Sequence, residues 1–207
     1  GVVTYTLDKL VTTTLNITGE ILMPVSHYLI SKNKNIKDIK VVYSHSQTFG
    51  QCQNWISQNL NKDINLIPVD SNSKAAEIAS TKKNSAAISS LRAAQINEMQ
   101  ILAENIEDYK NNTTRFLIIG KTKNNISNND KTSIAFATKD KTGILFKCLE
   151  PFAEKKINLS KIESRPSKNE AWNYVFFLDF KGHIKQKKVA EVIDELKQYC
   201  TFVKILG

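Results

Sequence analysis

Arginine is nearly absent from a strongly basic chain. The 207 residues carry 29 lysines and arginines against 20 aspartates and glutamates, a net charge of +9, yet arginine stands only at Arg92, Arg115 and Arg165. Lysine serves wherever a point charge is enough, whereas gripping a carboxylate in two places requires the planar guanidinium fork. Each arginine is therefore a candidate carboxylate clamp, or else a tie between two segments. Cysteine is scarce too. Cys52, Cys148 and Cys200 are scattered and odd in number, which excludes a disulfide framework and points to a reducing cytoplasm. His27, His45 and His183 lie far apart and no metal-ligand spacing occurs, so no metal site is expected. No run approaches the roughly 18–20 apolar residues of a membrane span. The opening GVVTYTLDKL has neither signal nor transit character and lacks a Met, so an upstream piece is expected to be left out.

The positive charge raises nucleic acid as a partner, but its distribution argues otherwise. Lysines gather only loosely in 121–131 and 181–188, without interleaved aromatics or an RNA-binding signature. They read as solvated faces. Hydrophobic content of 41% and charged content of 24% are ordinary globular values, and the length suits one large domain or two small ones.

The boundary is legible at KTKNNISNNDK, 121–131, a polar stretch without hydrophobic periodicity that reads as a linker. After it, TSIAFAT (132–138) alternates as a strand, and KTGILFKCLEPFAEKK has helical spacing that Pro151 should kink or trim. INLSKIES and AWNYVFFLDF read as strands, KQKKVAEVIDELKQY as an amphipathic helix, and CTFVKIL as a last strand. This β-α-β-β-α-β order predicts a ferredoxin-like unit of about 75 residues. Before the linker, a helix near 4–15 leads to a strand through ITGEILMPVSHYLI. Then come strand VVYSH, helix SQTFGQCQNWISQNL, strand INLIPVD, helix SNSKAAEIAST, strand SAAIS, helix LRAAQINE, and strands near 101–104 and 114–119. Such alternation predicts a mostly parallel α/β sheet over 1–120.

Ligands of such sheets bind beyond the strand carboxyl ends, at helix N-termini. SHSQ (44–47) and DSNSK (70–74) fit that position. Ser44 or Ser46 in the first, and Ser71 or Ser73 in the second, are candidate caps, with ordinary capping as the alternative to an anion role.

VYSHSQTFGQC (42–52), NNTTRF (111–116) and KIESRP (161–166), in that order and spacing, resemble prephenate dehydratase. TGEILMPVSHYLI, the stretch from AAISSLRAAQ to NNTTRF, and TGILFKCL are also similar to the family. The resemblance implies a two-lobed, periplasmic-binding-protein-like catalytic domain over 1–120, followed after the linker by an ACT domain over 132–207 that senses phenylalanine. It implies removal of the ring hydroxyl of prephenate together with carbon dioxide, giving phenylpyruvate on the route to phenylalanine, with no cofactor.

Hydroxide is a poor leaving group and must be protonated as it departs, which is a general-acid task. The resemblance assigns it to Thr114, with Arg115 as carboxylate clamp or loop brace, and with Ser44 and Gln51 lining the cleft. Neighbours on a regular strand face opposite ways, so Thr114 and Arg115 share a site only at a bend or strand end. Ser71 and Ser73 are candidate substrate anchors. For phenylalanine the resemblance implies Gly143, Ile144, Leu145, Asn158, Leu159, Glu163, Ser164, Arg165 and Pro166, at a site between ACT domains of a homo-dimer or tetramer. Ile144 stands where the family often has Ala. The family's catalytic domain starts earlier, so part of one lobe is expected to precede Gly1. Arogenate dehydratase, or a non-catalytic amino-acid sensor, remain the alternatives; no nucleic-acid or membrane partner is expected.

Overall fold

The computed structural model describes residues 4–127, 129–138, 141–166 and 174–207. The chain forms two compact units, one of Leu22–Arg115 and one combining Gly1–Ile21 with Phe116–Gly207. It passes between them within strands β1 (Asn16–Pro24) and β7 (Thr113–Gly120), which pair as a two-stranded sheet.

The Leu22–Arg115 unit is built on a five-stranded sheet: β2 (Tyr28–Ser31), β3 (Val41–Ser44), β4 (Asn65–Pro68), β5 (Ser85–Ser89) and β6 (Gln100–Ala103), in the order β4-β3-β5-β2-β6. The sheet is mixed, which corrects the mostly parallel expectation. β3 runs parallel to β4 and β5, but β2 is antiparallel to both β5 and β6. The reason lies in ITGEILMPVSHYLI, which forms two strands. Pro24 ends β1, and β2 begins four residues later as a separate element. β5 is buried at every position, as a strand covered on both faces must be.

Helices α4 (Asn72–Thr81) and α5 (Leu91–Ile96) cover one face of the sheet, burying Ala75, Ala76, Ala79, Ala93 and Ala94 with Ile30 and Ala87. The stretch 46–60 is two helices, α2 (Ser46–Gln51) and α3 (Gln53–Asn59), broken at Cys52. With Ile56 and Leu60, Cys52 packs among Leu29, Val42 and Ile88.

In the other unit, β8 (Lys131–Thr138), α6 (Ile144–Glu154), β9 (Leu159–Pro166), β10 (Tyr174–Lys181), α7 (Lys187–Tyr199) and β11 (Cys200–Ile205) follow the expected β-α-β-β-α-β order. Ala171, Trp172 and Asn173 of the third expected strand lie outside the described residues. The antiparallel sheet is ordered β11-β8-β10-β9, the ferredoxin-like arrangement with β9 at an edge. α6 runs through Pro151 to Glu154 with that proline buried, so it is neither trimmed nor ended there. α6 and α7 cover one face through Cys148, Phe152, Val189, Val192, Ile193 and Leu196, against Ile134, Phe136, Leu178 and Phe180.

The opposite face is covered as well. Helix α1 (Thr4–Thr12) lays Leu7 and Leu10 on Ala135, Phe177 and Leu206, with Ile17 and Leu117 beside them. This burial is why α1 and the start of β1 are compact with the ferredoxin-like sheet. α1 ends at Thr12, short of the expected residue 15, where Lys204 of β11 caps it. The Lys204 ammonium donates to the carbonyls of Leu10 (2.8 Å), Val11 (2.7 Å) and Thr13. A cation on the last carbonyls of a helix satisfies orphan acceptors and opposes the helix dipole. Lys204→Met is expected to cost about 2 kcal/mol, and thermal denaturation with hydrogen exchange of the α1 amides would measure it.

Candidate functional site

The expected catalytic residues fall in the Leu22–Arg115 unit. Thr114 is the second residue of β7 and exposed, while Arg115 follows it half-buried. As strand neighbours, one exposed and one half-buried, they point their side chains to opposite sides. Just before β7, the Val25 N–H donates to the Asn112 carbonyl (2.9 Å). The segments are antiparallel, with Thr18 facing Ile118 and Val25 facing Asn112, so His27 and Thr114 lie in opposite directions from that bond. His27 is buried, and its Nε2 meets Gln51 Oε1 at 2.8 Å. With the amide oxygen engaged, Nε2 carries the imidazole proton and the Gln51 NH₂ group is left to donate elsewhere. His27 is itself fixed by its backbone N–H, which donates to the buried Glu107 carboxylate at 2.8 Å. Asp108 accepts from the Asn54 and Trp55 N–H groups at the start of α3, and its own N–H donates to the Gln51 carbonyl. His27 and Glu107 are residues that the sequence reading did not single out. A histidine inside an apolar strand and an acidic pair at 107–108 were the signals available.

Ser44 differs from the expectation of a cap. It is fully buried, and its hydroxyl lies 2.9 Å from the Ile88 carbonyl and 3.0 Å from Asn72 Oδ1. The cap of α2 is His45, whose Nδ1 accepts from the Gln47 N–H; Ser46 is the exposed first residue of the helix. Asn72 gathers the loop, because its Oδ1 accepts from the His45 N–H (3.0 Å) and lies within bonding distance of the Ser44 and Thr48 hydroxyls. Ser71 does cap α4, accepting from the Lys74 N–H (3.1 Å), and Ser73 is exposed in the first turn. Ser44, Gln51 and Ser71 thus sit on elements tied together through Asn72 and α2.

Cys52 lies between α2 and α3, and burial, with Asp108 and Glu107 nearby, pushes its thiol from 9.0 up to about 12. Such a thiol is no nucleophile at neutral pH. Because the folded value is the higher one, this contribution to stability is complete below about pH 9 and lost as pH rises towards 12. Cys52→Ala should abolish that part of the alkaline destabilisation, as pH-dependent urea denaturation would reveal.

The second set of expected residues lies on the ferredoxin-like sheet. Gly143 has φ +76°, a left-handed conformation that other residues adopt at a cost, and it starts α6. A Cβ there would meet no atom within 4 Å. Ile144, Leu145 and Leu159 pack at the margin of the helix-side core, and Asn158 is exposed with its carbonyl accepting from the Lys181 N–H.

Pairing with β10 divides the ESRP residues. Ser164 lies opposite Phe176 on the helix side, whereas Glu163 and Arg165 lie opposite Phe177 and Val175 on the α1 side. Glu163 is bridged by Lys161 at 3.1 Å. Arg165 reaches Asp8 of α1, Nε to Oδ1 4.0 Å. Ile162, Ser164, Pro166 and Tyr174 remain exposed along the edge strand and its neighbour, and Phe146 is exposed on α6.

No helix among the described residues is long and apolar enough to cross a membrane. Among those residues no three His, Cys, Asp or Glu side chains gather as a metal-ligand set.

Comparison with known proteins gives a consistent result. A family model described as Prephenate dehydratase matches residues 1–124, and one described as ACT domain matches 132–198. The chain is 44% identical over its whole length to a bifunctional chorismate mutase/prephenate dehydratase of Aquifex aeolicus, covering 57% of that protein. It is 40% identical to a prephenate dehydratase of Methanocaldococcus jannaschii, over 93% of this chain and 70% of the relative. The chain thus spans a little over half the length of the bifunctional relatives it matches. Among solved structures, a prephenate dehydratase from Arthrobacter aurescens in complex with L-Phe superimposes with a TM-score of 0.85. It shares 29% identity, over 100% of this chain and 70% of that one.

Proposed function

This chain belongs to the prephenate dehydratase family, and from that membership we propose that the protein converts prephenate to phenylpyruvate and is inhibited by phenylalanine through its ACT domain. We divide it functionally into a catalytic region, 1–120, of mixed α/β, periplasmic-binding-protein-like class, a linker, 121–131, and a regulatory region, 132–207. The observation that carries the catalytic reading is the match of the Prephenate dehydratase family model to residues 1–124, a span that contains the exposed Thr114 and the Gln51 amide, whose oxygen is held by His27.

Thr114 donates the proton that turns the departing ring hydroxyl into water, as carbon dioxide leaves from the quaternary carbon and the ring becomes aromatic. Gln51 donates its amide N–H to substrate oxygen. Arg115, on the other side of the strand, braces the strand start or receives a carboxylate. Ser44 holds the loop in register through Asn72 and Ile88, and Ser71 and Ser73 offer donors at the start of α4 to the second carboxylate. The reaction calls on acid catalysis and positioning and on no cofactor.

The regulatory reading rests on Gly143, Ile144 and Leu145 at the start of α6 and on Asn158, Leu159, Glu163, Ser164, Arg165 and Pro166. Those on the helix side, together with the exposed Ile162 and Phe146, offer an apolar, hydrogen-bonding surface beside edge strand β9, while Glu163 and Arg165 face α1. Such an edge suits pairing with a second copy, giving a dimer or tetramer with phenylalanine between regulatory domains. A cytoplasmic setting accords with the free thiols.

Phenylpyruvate formation by the complete protein tests the activity, and competition between prephenate and arogenate separates the two dehydratase readings. Failure to turn over either substrate would sink both. Calorimetric titration with L-phenylalanine, against L-tyrosine as control, tests regulation. Saturable heat is expected, and Gly143→Val should weaken binding at least tenfold because it strains the left-handed turn at the site.

A further inference from the structure

We propose that Asp8 is the residue through which an amino acid bound at the 163–166 corner acts on the catalytic region. This rests on the regulatory reading above. The corner has two sides. Ser164 faces the α6 side of the sheet, where Gly143 and Leu145 lie, while Arg165 projects from the opposite side onto α1. A ligand that fixes the strand end therefore moves or holds a guanidinium whose other contact is Asp8.

The pair is enclosed: the Arg165 and Asp8 side chains are only 23% and 20% exposed. Screening is weak in such surroundings and small displacements change the interaction appreciably. It is also incompletely closed, since Nε stands 4.0 Å from Oδ1 and makes no hydrogen bond among the described residues. A shift of about 1 Å would bring it to N–H···O distance.

α1 is suited to pass such a shift on. It is held by three different side-chain contacts to one sheet: Leu7 and Leu10 on Phe177 and Ala135, the Lys204 cap at its end, and Asp8 on the regulatory corner. Of these contacts, the one made by Asp8 engages the ESRP strand. Residues 13–15 then lead directly into β1, and the same chain continues to Val25 and His27. Closing the Asp8–Arg165 contact biases α1, and α1 is covalently continuous with β1, which ends at Pro24, three residues before the His27 that meets Gln51. This is a physical connection between two sites in the sense that allostery requires.

Asp8→Asn in the complete protein tests the contact, because Asp8 belongs to neither the binding nor the catalytic residues. Phenylalanine should still bind, with a dissociation constant within about threefold of the parent, while the concentration for half-inhibition rises at least tenfold. Asp8→Glu should restore inhibition in part. Hydrogen exchange of the 4–12 amides gives a readout independent of turnover. Phenylalanine should slow exchange there in the parent and leave it unchanged in Asp8→Asn. Undiminished inhibition of Asp8→Asn, or equal slowing of α1 exchange in both proteins, would overturn the role of Asp8 while leaving the regulatory reading standing. Absence of phenylalanine binding by the parent would overturn both.

Discussion

Thr114→Val is expected to lower kcat for the dehydration by roughly 10²–10⁴-fold, with KM little altered and the melting temperature unchanged. The exchange keeps the β-branched shape that suits a strand and removes only the hydroxyl. Thr114 is exposed in β7, so no core contact is lost. On the proposed assignment, what is lost is the proton offered to the departing hydroxyl, an interaction made only in the transition state, and such losses appear in kcat. Thr113 is the internal control. It too is exposed, with its hydroxyl 3.4 Å from the Asn111 carbonyl, and Thr113→Val should change kcat by less than about threefold. Steady-state kinetics of both variants decide the matter. If Thr114→Val stays within threefold of the parent, the proton comes from another group and the assignment fails.

Asn72→Leu should be the most destabilising polar substitution in the Leu22–Arg115 unit. One side-chain oxygen accepts from the His45 N–H and lies 3.0 and 3.1 Å from the Ser44 and Thr48 hydroxyls, both of them buried. The Ser44 hydroxyl keeps the Ile88 carbonyl, but the His45 N–H and the Thr48 hydroxyl lose their acceptor, and each buried donor so left costs about 1–3 kcal/mol. A total of about 3–5 kcal/mol is expected, lowering the melting temperature by roughly 6–15 °C. Asn72→Asp separates the acceptor from the donor role. It keeps the oxygen and loses only the Nδ2 donation to the Thr48 hydroxyl (2.9 Å), so it should cost distinctly less. Thermal denaturation of both variants distinguishes the two roles, and equal losses would show that the acceptor does not dominate. Dehydratase activity of Asn72→Asp, measured well below its melting temperature, should stay nearer the parent than that of Asn72→Leu, because the loop carrying Ser44 keeps its anchor.

Much of this was legible in the residues. The β-α-β-β-α-β order after 131 could be read from alternation in TSIAFAT and from the apolar stripe Val189, Val192, Ile193 and Leu196, all four of which are buried. Periodicity reports which face of an element is covered, and in a small antiparallel sheet that is nearly the whole specification. The motifs containing Thr114, Gln51 and Arg165 were also visible as residue types. Local pattern failed where two answers satisfied it equally. ITGEILMPVSHYLI is mostly apolar, and its division at Pro24 sets β2 antiparallel in a sheet whose helices suggested otherwise. SQTFGQCQNWISQNL has helical spacing across a break at Cys52.

The sequence by itself determined the classes of element, the family and the residue types available for acid catalysis and carboxylate binding. All of these depend on neighbours within a few positions or on a recognisable string. The tertiary structure alone decided which partners those residues have. Gln51 is set by His27, 24 positions away, Ser44 is braced by Asn72 at 28 positions, and Lys204 caps a helix at the far end of the chain. The alternation that put Ser164 and Arg165 on opposite sides was readable. That α1 would cover one of those sides, and bring Asp8 to Arg165, was not. A charge on a helix looks the same in sequence whether it faces water or a guanidinium, and only burial of Leu7 and Leu10 on a distant sheet turns it towards one of them.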